Sequence, residues 1–183
     1  TATEPEDFTL DTTSVSFAAG SQSGAAQNAS ANLVDDATSE PTESFDLTLG
    51  NGFVTANITL GRAATTVNIS DNDTPGVTVI QSGGTTAVTE GGATDDLSIV
   101  LTSQPTGNVT VALSGSQVTL SPTPLTFTSG NWNVAQTVTV TAIDDAIDEA
   151  SPHTGSVSFV VTSGDSIYNA LVIPPVSVAV TDN

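Results

Sequence analysis

The chain has 183 residues, of which 20 are acidic and one, Arg62, is a lysine or arginine, giving a formal charge of −19. So negative a chain repels phosphate backbones and anionic lipid, which excludes nucleic acid as a partner and a polybasic membrane mode, and it calls for cations. With no Cys it has no disulfides, thiolate metal sites or cysteine nucleophile, and no apolar run approaches the roughly 20 residues of a membrane helix, so no membrane insertion is expected in this segment.

Taken in chain order, the residues read as short strands between turn signals. Thr and Ser are abundant, and Val, Leu, Ile and Ala dominate the apolar fraction, a balance that favours a pleated surface over a helix. The first stretch offers SVSF (14–17), NASANLV (28–34), SFDLTL (44–49), FVTANITL (53–60) and ATTVNIS (64–70). From Pro75 onward come GVTVIQ, DLSIVL, NVTVAL, QVTL, LTF, QTVTVTAI, GSVSFVV and VSVAVT, with Gly, Pro, Asn and Ser between them. That alternation and spacing fit an antiparallel sandwich, and no stretch carries helical periodicity.

The two stretches are copies of one another. Leu10, Phe17 and Gly20 match Leu120, Phe127 and Gly130, all at an offset of 110. LVDDA at 33–37 matches AIDDA at 142–146, and TTVNISDND at 65–73 matches VSVAVTDN at 176–183. A tandem repeat with a boundary near residue 75 follows, residues 1–74 being one copy and 75–183 the next. On this register the first copy would begin about 35 residues before Thr1, so it is expected to be incomplete at its N-terminus. Its open strand edges would then seek partners: further repeats of the same chain, or a neighbouring copy that donates strands and builds a filament.

The acids are grouped. In the first copy they stand at Asp7, at Asp35, Asp36, Glu40 and Glu43, and at Asp71 and Asp73. The second copy has Glu90, then Asp144, Asp145, Asp148 and Glu149, then Asp165 and Asp182. Fourteen of the 20 acids fall in these groups, which argues against acidity scattered only for solubility. If the strands before the middle and last groups run the same way, both groups meet at one pole, where they repel unless a cation joins them. Ca²⁺, with 6–8 hard oxygen ligands, suits such a site, Mg²⁺ less so, and without His or Cys clusters zinc and copper are poor candidates.

DDATSEPTESF (35–45), followed by a strand pair and closed by DND (71–73), resembles the Calx-beta domain, and EDFT (6–9) resembles that family's Asp-aromatic segment. The resemblance implies an all-β fold, tandem immunoglobulin-like antiparallel β-sandwiches, with Ca²⁺ held by the loops. It makes Asp7, Asp35, Asp36, Glu40, Glu43, Asp71 and Asp73 the ligand candidates of the first copy. In the second, Glu90 falls at the family's early-Glu position, Asp144, Asp145 and Glu149 match the middle group, and Asp182 matches the first closing Asp. Pro152 and Gln117 stand where acids would be, so fewer or more weakly held ions are expected; Asp148 and Asp165 are the acids available to make up the difference.

Nothing reads as catalytic. His153, the one histidine, has no cysteine partner and reads as a turn residue, and no G-x-S-x-G elbow is present. Paired carboxylates without an aromatic-lined cleft do not make a glycosidase. The expectation is a non-catalytic, calcium-binding structural or adhesive repeat, extracellular or on a cell surface, whose partners are neighbouring repeats, copies of itself, cell-surface proteins or glycans. The alternatives are a filament subunit assembled by strand complementation and a calcium-sensing regulatory domain.

Overall fold

The computed structural model describes residues 2–4, 6–16, 27–48 and 64–183, and these carry thirteen strands and one short 3-10 turn. Two compact units separate, one comprising Thr1–Asp36 and Glu40–Asn72, the other Ala37–Ser39 and Asp73–Asn183.

In the first unit β1 (Phe8–Leu10) pairs antiparallel with β2 (Ala31–Leu33), Phe8 opposite Leu33. β3 (Glu43–Thr48) pairs antiparallel with β4 (Ala64–Ile69), Glu43 opposite Ile69. Strand β4 alternates as ATTVNI should, with Thr65, Val67 and Ile69 turned inward. Phe8 is buried and stacks on Phe45, ring centroids 3.9 Å apart and planes 10° from parallel. Residues 14–16 form no strand, contrary to the expectation for SVSF, and the strand expected at 53–60 lies outside the described residues.

The second unit is a two-layer sandwich. Its strands are β5 (Val77–Gln81), β6 (Thr86–Thr89), β7 (Asp95–Leu101), β8 (Val109–Ser116), β9 (Val118–Ser121), β10 (Leu125–Phe127), β11 (Gln136–Ala142), β12 (His153–Ser163) and β13 (Val176–Thr181). One sheet runs β10-β8-β12-β13-β6, the other β5-β7-β11-β9. All pairings are antiparallel except β6 with β13, which run parallel with Thr89 opposite Thr181. The period-2 pattern places Leu97, Ile99 and Leu101 of β7 and Val176, Val178 and Val180 of β13 in the core, alongside Phe127. The chain crosses from one sheet to the other between β5 and β6 through Ser82–Gly84, where Gly83 and Gly84 take φ of 62° and 87°, open to glycine at little cost. It crosses again at Gln117, which adopts a φ of 62° despite its side chain.

Tyr168 closes one end of this core. Fully buried, its hydroxyl donates to the Ser103 carbonyl at 2.7 Å and accepts from the Ser103 amide at 3.1 Å. A buried phenol is thereby satisfied on both sides.

Candidate metal centres

Strand register decides which acids meet. In the first unit Asp7 precedes β1, Asp35 and Asp36 follow β2, Glu43 opens β3 and Asp71 follows β4. These pairings bring the loops to one place: Asp7, Asp35, Asp36, Glu40, Glu43 and Asp71 line a single concavity of about 330 Å³. Glu6, which the sequence reading passed over, lines it as well, and Asp73 is not among the lining residues. The Glu40 amide donates to Asp71 Oδ2 at 2.9 Å, and the Val34 amide to the Asp7 carbonyl at 3.0 Å. The Glu40 carboxyl is pushed above its usual range by desolvation first, then by Asp36, Asp7, Glu43 and Asp71. The donors are oxygen throughout and mutually repelling, the chemistry that suits a hard cation, and they line the concavity without any three of them bringing a donor oxygen within 4.8 Å of one another. By donor chemistry these residues fit Ca²⁺.

In the second unit the parallel β6–β13 pair carries Glu90 and Asp182 to the same pole, and the Glu90 amide continues the ladder by donating to the Thr181 carbonyl at 3.0 Å. Strand β12 starts at that pole, His153 standing opposite Val180. The loop from β11 to β12 supplies Asp144, Asp145, Asp148 and Glu149. Glu149 donates its amide to Asp182 Oδ2 at 3.1 Å, and its Oε1 accepts from Gln117 Nε2 at 3.2 Å. Asp145 Oδ1 takes the Ile147 amide, while Asn183 Nδ2 donates to the Glu90 carbonyl and Asp144 Oδ1. Gly91 turns the chain after Glu90 at a φ of 59°, with Asn183 Nδ2 only 3.0 Å from where a Cβ would stand. A larger residue there would press on the loop that carries the acids.

Glu90 is 3% exposed, and its Oε2 has no hydrogen-bond partner. Desolvation raises its carboxyl above the ordinary range, with Asp182, Asp145 and Glu149 adding to the rise and the Asp145 backbone amide opposing it.

Two residues stand elsewhere than the sequence suggested. Asp165 follows the far end of β12, at the opposite pole from Glu90, where it accepts from the Thr106 and Ile167 amides at 2.8 and 3.1 Å. Those bonds outweigh burial and hold its carboxyl below the usual range. Eleven residues of extended β12 separate it from the pole, so it does not join the acids there. His153 is no turn residue but the first residue of β12, its Nε2 3.0 Å from Glu149 Oε2 and 4.0 Å from Glu90 Oε1. The signal was the spacing of Glu149 and His153, four residues apart just after the acid group. A larger groove of about 590 Å³ beside β5 and Ile173–Val176 holds no ionisable side chain. No helix among the described residues is long and apolar enough to cross a membrane.

The model of the Calx-beta domain matches residues 1–73 and again 71–179. No curated protein matches the sequence. Among solved structures, the chain is similar to the apo-form Calx CBD1 domain at 15% identity and a TM-score of 0.41, covering 58% of this chain and 97% of that one. It is also similar to the CooA pilin subunit from enterotoxigenic Escherichia coli, at 18% identity and a TM-score of 0.39, covering 58% of this chain and 98% of the pilin. Domains 4 and 5 of the S-layer protein SbsC match at 21% identity and a TM-score of 0.29, over 64% of this chain and 58% of that one.

Proposed function

The chain belongs to the Calx-beta domain family, with two copies in tandem, and from that premise we propose that it is a non-catalytic, calcium-binding structural repeat of an extracellular protein. Calx-beta domains are associated with Ca²⁺ binding. The observation that carries the reading is the meeting of six predicted carboxylates, from separate loops, around one concavity of the first unit. Asp7, Asp35, Asp36, Glu40, Glu43 and Asp71 would hold the ion, which supplies the counter-charge the loops lack. In the second unit Glu90, Asp144, Asp145, Glu149 and Asp182 offer a smaller set at the equivalent pole, and Asp73 remains a candidate beyond the first concavity.

The function that follows is mechanical. A cation bound only by the folded state stabilises it by RT ln(1 + [L]/Kd), about 2.7 kcal/mol per site at 100 times Kd. A few such ions amount to a large share of the ~5–15 kcal/mol of a whole domain. The loops would be ordered where calcium is plentiful, as outside cells, and loose where it is scarce. In this reading the chain serves as a spacer or adhesive element whose neighbours are further repeats or copies of itself.

Thermal melting of the full chain in calcium and then in EDTA tests it. The melting temperature rises with calcium and returns with chelator; a transition indifferent to both would remove the proposal.

A further inference from the structure

One donor type distinguishes the pole of the second unit from the concavity of the first: a nitrogen. Among the described residues, Glu90, Glu149 and His153 form the one set of metal-ligating side chains whose donor atoms all lie within 4.8 Å of one another. Neither ring nitrogen of His153 has an aligned hydrogen-bond partner, although Nε2 stands 3.0 Å from Glu149 Oε2. Beside it, Glu90 is almost wholly buried with Oε2 unpartnered. A carboxyl with one buried oxygen unpartnered and the other 4.0 Å from an imidazole whose ring nitrogens are also without hydrogen-bond partners makes an arrangement that a bound ion completes.

We propose that the imidazole donor makes Glu90, Glu149 and His153 take a borderline divalent cation of the zinc type in preference to calcium. Imidazole nitrogen is a natural ligand of zinc and a poor one for calcium, which takes oxygen. Donors about 2.1 Å from a tetrahedral ion stand about 3.4 Å apart, and the measured separations of 3.0 and 4.0 Å from Nε2 bracket that value. Three protein ligands leave a position for water or for Asp144 or Asp145 from the adjoining loop. The supporting contacts fit as well. Gln117 donates to both oxygens of Glu149, at 3.2 Å to Oε1 and 3.5 Å to Oε2, which holds the carboxylate with Oε2 3.0 Å from the imidazole, and the Glu149 amide is anchored on Asp182. Gln117 holds its left-handed backbone conformation at this point, where the first copy has Asp7; one negative charge fewer suits a site of lower coordination number. None of these residues belongs to the concavity of the first unit, so the assignment stands or falls apart from the calcium reading there.

The chain's single histidine makes the test direct. Chelator-stripped full-length chain is titrated with Zn²⁺ while the imidazole resonances are followed by NMR. They shift and saturate at one equivalent, and a hundredfold excess of Ca²⁺ does not restore them. His153→Gln weakens zinc binding at least about tenfold, while calcium-dependent melting persists. Resonances unmoved by one equivalent of zinc, or displaced equally by calcium, overturn the assignment. So does a His153→Gln chain that keeps the native zinc affinity, or an imidazole that merely gains a proton to pair with Glu149 in the presence of zinc. Loss of the calcium effect with the zinc response intact counts against the calcium reading alone.

Discussion

The backbone amide of Glu149 donates to Asp182 Oδ2 at 3.1 Å, and the repeat reproduces the bond between Glu40 and Asp71 at 2.9 Å. In each copy the Asp that follows the last strand holds the loop bearing the acids. That Asp therefore has two tasks, an acceptor that shapes the loop and a charge that faces the other carboxylates.

Asp71→Asn and Asp71→Ala separate the two tasks. The Asn variant keeps an acceptor oxygen for Glu40 but loses the charge, so calcium affinity falls at least about tenfold while metal-free stability holds or rises slightly through relief of repulsion. The Ala variant loses the bond too and gives up a further ~1 kcal/mol of metal-free stability. Calorimetric calcium titration and denaturant unfolding in EDTA measure both.

The metal-free chain is expected to be most stable in mild acid. Burial and neighbouring carboxylates raise the folded-state pKa of Glu40 and Glu90 above the ordinary value of 4.5, so the folded state holds their protons more firmly than the unfolded state. Their contribution is fully present below 4.5 and is lost as pH rises through the raised values. Asp95 and Asp165 act in the opposite sense: burial favours the proton, but hydrogen bonds outweigh it, from Ser82, Ala87 and Asp96 in the first case and Thr106 and Ile167 in the second. Their contribution is present above 3.8 and disappears as pH falls through the lowered values. Melting in EDTA from pH 3 to 8 should therefore peak in mild acid, and adding calcium should move the peak toward neutrality.

Tyr168→Phe should cost about 1–3 kcal/mol, because the Ser103 amide and carbonyl are left unsatisfied in a buried place. The ring itself stays, so packing is kept. Urea unfolding with an unchanged m-value would confirm that only the polar bonds were lost.

Gly115→Ala should destabilise the second unit by about 1–3 kcal/mol or more. An added Cβ would run into the Val118 carbonyl oxygen, and backbone cannot swing aside as a flexible side chain does. The measure is the chemical denaturation midpoint, with circular dichroism to show that the strands persist.

The strands of the second unit were legible because Val, Ile and Leu recur every second residue in β5, β7, β11 and β13. Strand β6 escaped notice because its inward positions are Thr86 and Val88, a pattern too short and too polar to stand out. The meeting of the first copy's acids was readable from two strands ending beside acid groups. Asp165 was not, because which pole a loop serves depends on the length and direction of β12, not on composition. His153 was discounted for want of cysteine or histidine partners. What it needed was two carboxylates brought by other loops, and only the fold supplies Glu90.

Strands β6 and β13, parallel neighbours in one sheet, lie close to the two ends of the second unit. Tension applied along the chain would load β5 on its antiparallel pairing with β7 first, and once β5 gave way would draw β6 toward its own start and β13 toward its own end. Parallel partners pulled this way slide past each other, so their shared bonds are strained together rather than opened one after another. A pairing of this kind yields late and abruptly.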